Sequence, residues 1–227
     1  MEVAEAIKAR KSVRGFLDKP VAKELIEKVL QLAVRAPSAM NTQPWEFYVL
    51  AGDVLDAVRK ENVEWLRASA PPQPDHLVVG WPKDSVYRRR QVDLAKQLFS
   101  AMGIEREDKE ARAAWLERGF RYFDAPAAIL VLTDRCLTDA GPLMDLGAML
   151  QTLCLAATGL GLGTCIEDQG VMYPDILRKI AGVPEDKRIM MSVAIGWPDP
   201  DFPANKIEIP RVPASEITTW FGFDTRE

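Results

Sequence analysis

The 227-residue chain reads as a single α/β domain carrying a helical insertion, and three observations lead there. Ala125–Thr133, "APAAILVLT", is a near-continuous apolar run, the pattern of a central strand buried on both faces. Leu143–Thr158, "LMDLGAMLQTLCLAAT", is an almost charge-free apolar helix, and a helix apolar all round must lie in a core or an interface. At 48% hydrophobic content, the chain is long enough to bury a real core within one domain.

The remaining elements follow in order. Val3–Ala9 reads as a short helix and Val21–Val34 as a second, with Leu25, Ile26, Val29, Leu30 and Ala33 at helical spacing. Ala36–Trp45, "APSAMNTQPW", holds two prolines among short polar residues, which makes a loop, and Phe47–Leu50 makes a short strand. Residues 54–123 are charged and helical except for the break at Pro71–Pro82. With Trp65, Trp81, Tyr87, Trp115 and Phe120 they are expected to form a helical insertion or lid. After the two core elements come "GLGLGTCIED", a helix near Tyr173–Ala181, a strand at Arg188–Pro198 and a Pro-rich arm over 199–227.

Composition excludes several classes. The net charge is −4 with both signs interleaved, so no broad positive field exists to hold a nucleic acid, and any anion site must be local. No run of roughly 18 apolar residues appears and the N-terminus has no long apolar stretch, so no membrane segment is expected and the protein is expected to be cytoplasmic. Cys136, Cys154 and Cys165 are odd in number and lack a CxxC pair, which argues against disulfides or zinc. The single histidine, His76, sits in a loop-like stretch and reads as a solvated residue. A histidine-based triad or metal centre is then hard to build, and demanding chemistry must come from a cofactor.

Four segments carry candidate chemistry, each with an ordinary alternative. Arg10, Lys11, Ser12 and Arg14 in "RKSVRGF" could chelate a phosphate, or could be basic residues complementing a helix C-terminus. The glycines of "GLGLGT" follow a helix instead of a strand, so they read as a helix stop and a tight turn, not as a dinucleotide fingerprint. Ser38, Asn41 and Gln43 form a polar cluster between prolines that also suits turn chemistry. Arg211 is flanked by prolines that keep its backbone extended, and alone it is an exposed arginine.

Taken together and in order, "RKSVRGF", "APSAMNTQPW", "GLGTCIED" and "PRVPASEITTWFGF" resemble the nitroreductase family, and "MGIEREDKEARAAWLERGFRYFDAPAAIL" resembles its nitrobenzoate-reductase-like branch. The resemblance implies a three-layer sandwich with a central mixed, mostly antiparallel sheet between helices. It also implies a homodimer with two FMN sites at the interface and a C-terminal arm exchanged onto the partner. The implied reaction is ping-pong hydride transfer from NADH or NADPH through flavin N5 to a small acceptor such as a nitroaromatic or quinone. Reductive dehalogenation, flavin fragmentation or flavin binding without turnover on the same fold are the alternatives.

By the same resemblance, Arg10 and Arg211 grip the FMN phosphate with Lys11 and Ser12 in support, and Arg14 approaches the pyrimidine edge of the flavin. Pro37, Ser38, Ala39 and Asn41 reach the flavin from the other subunit, with Gln43 and Trp45 locking that loop. Cys165, Ile166, Glu167 and Asp168 run along the isoalloxazine, with a main-chain N–H around Glu167 meeting N5. Two positions depart from the pattern: Ile209 stands where some members have lysine, and Asp168 where some have glycine.

Overall fold

A computed structural model describes residues 1–76, 80–138 and 140–223; positions 77–79 of the expected Pro-rich loop, position 139 and the last four residues of the expected arm lie outside the described residues. Four strands form one sheet: β1 (Glu46–Ala51), β2 (Ala127–Asp134), β3 (Gly163–Glu167) and β4 (Lys187–Gly196), in the order β1-β2-β4-β3. Every pair of these strands is antiparallel, and the parallel pairing recorded among the described residues is an isolated bridge between Ser12 and Thr164.

The run of apolar residues in β2 is explained by its central place. Strand residues alternate between faces. Ala128, Leu130 and Leu132 join a core with Leu55, Val58, Phe120, Tyr173 and Leu177. Ala127, Ile129 and Val131 join a second core with Ile26, Val29, Met149 and Leu153. The first layer is therefore α3 (Gly52–Arg67), α5 (Lys109–Phe120) and α7 (Pro174–Ala181), and the opposite one is α2 (Lys23–Ala33) and α6 (Leu143–Gly159). The expected three-layer sandwich is what the chain builds. Of the segment 54–123, α3 and α5 belong to the core, and α4 (Val86–Ala101) buries only Leu98.

The glycines after α6 act as the expected helix stop and tight turn, and one of them also permits a close approach. Gly161 has φ +80°, a left-handed turn that ends the helix. At Gly163 an added Cβ would stand 2.7 Å from Val13 Cγ2 and 2.9 Å from Pro198 Cγ, so the missing side chain lets the N-terminal segment lie against β3. Before β2, Tyr122, Phe123 and Asp124 all hold positive φ, at 55°, 52° and 58°. A left-handed residue other than glycine costs roughly 1–2 kcal/mol. Burial of Tyr122 and Phe123, and the bond from Tyr122 Oη to Gly170 O at 2.7 Å, offset that cost.

Candidate active site

After α1 (Val3–Ala9), residues 12–13 pair with the free edge of β3 and residues 16–17 with the residues that follow β4. Val13 N donates to Thr164 O at 2.9 Å and Leu17 N to Trp197 O at 2.9 Å. Val13 is buried on one side of this extended segment, and alternation puts Arg10, Ser12 and Arg14 on the other. Burial raises the thiols of Cys154 and Cys165, the latter to about 12, while Arg10 acts on Cys154 and Arg14 on Cys165 in the opposite sense. Arg14 is thus within electrostatic reach of Cys165 on β3, and Arg10 of Cys154 on α6. Among the described residues no carboxylate pairs with Arg10, Lys11 or Arg14 within 4 Å.

Two residues that sequence reasoning missed hold this segment. Buried Asn205 accepts from Arg14 N at 2.8 Å and donates to Gly15 O at 2.7 Å and Asp199 O at 2.9 Å, while its own carbonyl accepts from Lys11 Nζ. Arg118 donates to Arg14 O at 3.0 Å and lies over the Phe202 ring at 4.9 Å. Neither "FPANK" nor "WLERGF" carries a signal for these bonds, because they depend on which main-chain atoms the fold delivers.

Along β3, Ile166 is exposed, whereas Glu167 turns its carboxyl inward. That carboxyl accepts from Gly170 N at 2.8 Å and lies 2.5 Å from Ser192 Oγ, and burial pushes it up to about 8. Desolvation also raises the Asp168 carboxyl, opposed by His76. His76 is thus not a solvated loop residue: it is half-buried and within electrostatic reach of Asp168. Its neighbour explains this. Asp75 accepts from Arg135 Nη2 at 2.5 Å, Arg178 Nη2 at 2.7 Å and Ile189 N at 3.0 Å, which fastens the loop to α7 and β4.

The loop of Pro37, Ser38, Ala39 and Asn41 stands elsewhere. Ser38 Oγ accepts from Gln43 N at 3.0 Å, which is the turn chemistry its composition allows, and Ala39 N donates to both oxygens of Asp145 on α6 at 3.2 Å. Met40, Asn41 and Gln43 hold positive φ, and Met40 is 96% exposed. This loop leads into β1, the opposite edge of the sheet from β3, about 14 Å away at the usual strand spacing. Arg211 lies apart as well: its Nη1 donates to Ile209 O and Pro210 O, and it lines a hollow of about 870 Å³ with Trp81, Tyr87 and Arg90. One chain therefore brings together residues 10–14 with 165–168, and leaves loop 37–41 and Arg211 outside that group.

The sequence model of the nitroreductase family matches residues 7–197. This chain belongs to the nitroreductase family. It is 35% identical over 219 residues to nitrobenzene nitroreductase from Ectopseudomonas oleovorans, covering 96% of each chain. It is 29% identical over 222 residues to 4-nitrobenzoate reductase from Pseudomonas putida, covering 96% of this chain and 95% of that protein. The FMN and NADPH-dependent nitroreductase NfnB from sphigopyxis sp. strain HMH superposes with a TM-score of 0.91 at 30% identity, covering 98% of this chain and 100% of that one. These are relatives in the nitrobenzoate-reductase-like branch that "MGIEREDKEARAAWLERGFRYFDAPAAIL" resembles.

The residues of this nitroreductase-family chain suit a phosphorylated cofactor. Two arginines and a hydroxyl on one side of residues 10–14, with no carboxylate paired to them among the described residues and Lys11 alongside on Asn205 O, form a donor set for a dianion. Among the described residues no group of three or more His, Cys, Asp or Glu could hold a metal ion, and no helix is long and apolar enough to cross a membrane.

Proposed function

We propose that this chain is an FMN-dependent oxidoreductase that takes hydride from NADH or NADPH and reduces a nitroaromatic acceptor, acting as a homodimer in the cytoplasm. The observation that carries this reading is the cluster of Arg10, Lys11, Ser12 and Arg14, without a paired carboxylate among the described residues, beside β3 and residues 165–168. Arg10, Lys11 and Ser12 hold the FMN phosphate and ribityl end. Arg14 supplies positive charge where negative charge develops on reduction of the ring. The main chain from Cys165 to Asp168 lies along the ring, and a main-chain N–H around Glu167 is offered to its reactive edge. FMN, when bound, supplies the ring that accepts hydride and returns two electrons.

What one chain leaves unfinished supports the dimer reading. α6 buries Leu146, Met149, Leu150 and Leu153 on one face, while Met144 on the other is 85% exposed. In a helix with almost no charge, that open face calls for a partner. The second subunit then supplies its loop 37–41 to complete the site, and the arm from 199 onward, with Arg211, crosses between subunits. Ile217, Trp220, Phe221 and Phe223 of this arm are all exposed in the single chain. Over the site, α4 with Tyr87, Arg88, Arg89 and Arg90 serves as the lid of the 54–123 region and selects among flat acceptors, nitroaromatics and quinones alike.

The test is steady-state oxidation of NADH and NADPH with nitrobenzene, 4-nitrobenzoate and a quinone, on protein loaded with FMN. FMN-dependent turnover with parallel double-reciprocal lines is expected, since donor and acceptor occupy one slot in turn. Intersecting lines would remove the ping-pong scheme, and no turnover with any acceptor would remove the enzyme reading.

A further inference from the structure

The Glu167 carboxyl has two hydrogen-bonding neighbours, one nitrogen and one oxygen, and no cation among the described residues. Its Oε2 accepts from Gly170 N at 2.8 Å, and its Oε1 lies 2.5 Å from Ser192 Oγ. Ser192 Oγ also lies 2.9 Å from the main-chain oxygen of Glu167. A hydroxyl has one hydrogen and cannot donate to both oxygens. A protonated carboxyl satisfies both contacts at once: Oε1–H donates to Ser192 Oγ, and Ser192 donates to Glu167 O.

The surroundings favour the same state. Ser192 is fully buried and Glu167 is 8% exposed. The charged and titratable groups that act around it are Asp168, the Tyr122 hydroxyl and the Cys165 thiol, with Arg59 acting on Tyr122. Arg59 spends its hydrogen bonds on Asp56 and on the main-chain oxygens of Arg121 and Ala125. Among the described residues no Lys, Arg or His pairs with Glu167. An isolated buried carboxylate would be costly, and a group so placed takes up a proton. The turn itself is tight: a Cβ at Gly170 would meet the Tyr122 ring at 2.2 Å and Glu167 Oε1 at 2.7 Å, and Tyr122 Oη donates to Gly170 O.

We propose that Glu167 is a positioning residue that works as a neutral acid, tying β3, β4 and the 167–170 turn together so that the main-chain N–H groups at 167–168 stay aimed at the reactive edge of bound FMN. Its place beside the cofactor rests on the flavin reading; its protonation does not. Because it holds a proton in the fold that the unfolded chain releases above the ordinary carboxyl range near pH 4.5, wild-type stability falls from there up to about pH 8 and then levels off.

The experiment compares wild type, Glu167→Gln and Ser192→Ala, first as apoprotein and then with FMN. Glutamine keeps both hydrogen bonds without titrating. From pH 5 to pH 8 the folded-to-unfolded ratio of the wild type is expected to fall at least tenfold relative to Glu167→Gln, measured by urea unfolding. A constant ratio would mean an ordinary carboxylate and overturn the protonation claim. With FMN, Glu167→Gln is expected to bind within about threefold of wild type at pH 6.5. Its midpoint potential should match there and rise above the wild-type value only beyond about pH 8, where a buried anion opposes reduction.

Ser192→Ala exchanges one small buried side chain for another, keeps the fold, and is expected to weaken FMN at least tenfold. Wild-type affinity in that variant, or a potential gap already present at pH 6.5, would overturn the positioning role. Failure of the wild type to bind FMN at all would strike the flavin reading, while the apoprotein comparison would still report the Glu167 proton.

Discussion

Asn205 uses its side-chain oxygen on Arg14 N and its side-chain nitrogen on Gly15 O and Asp199 O, so its loss strands main-chain groups beside the cation cluster. Leaving buried partners unsatisfied costs about 1–3 kcal/mol each. Asn205→Ala should lower stability by roughly 2–4 kcal/mol on that basis and weaken FMN at least tenfold, read by chemical denaturation and flavin titration. Arg10→Ala removes a charge-assisted bond and should weaken FMN by about 1.5–3 kcal/mol, or 10- to 100-fold, with little change in stability. The contrast between the two explains what the sequence could reveal. Arg10, Lys11 and Arg14 could be picked out as anion-binding candidates by residue type, and only in combination with the other three segments. Asn205 and Arg118 take their roles from neighbours far away in the chain, and "PQPDHLVVG" looks like solvent-facing loop until Asp75 is seen fastened to Ile189.

At the level of elements, β2 and α6 were readable because each presents one chemistry on all sides: β2 is covered on both faces, and α6 is apolar beyond the face it buries. The division of residues 54–123 was not, since α3, α4 and α5 all look charged, and only packing separates the core helices from α4. The strand order also lay beyond the sequence, because burial patterns do not say which strands are neighbours. Asp75 links α7 and β4, and Arg135 just after β2. Burial pulls its carboxyl upward, but the Ile189 N–H and the Arg178 and Arg135 guanidiniums prevail and hold it below the ordinary value of 3.8.

A group depressed in the fold contributes stability above its unfolded value and loses it as pH falls through its lower folded value. Asp75→Asn should therefore cost about 3 kcal/mol at neutral pH, the scale of a broken buried pair. The difference from wild type should shrink as the pH drops below about 4. A gap of the same size at pH 7 and pH 2.5 in urea unfolding would show that shape, not charge, is what Asp75 supplies.

Across the whole molecule, the groups proposed to bind FMN divide between opposite edges of the sheet, with residues 10–14 and 165–168 at one and loop 37–41 at the other. Such a division is economical for a twofold assembly, in which the same surface serves both subunits. Deleting the arm after Glu208 removes Arg211 and the exposed aromatics, and is expected to weaken both dimer and FMN at least tenfold, measured by light scattering and flavin release. The central claim is tested most directly by the anaerobic visible spectrum of the purified protein, before and after NADH or NADPH and then with nitrobenzene. One FMN per chain, bleached by the nucleotide and restored by nitrobenzene, is the expected result. A protein that stays colourless with added FMN would contradict it and leave Arg10, Lys11 and Arg14 as surface charge.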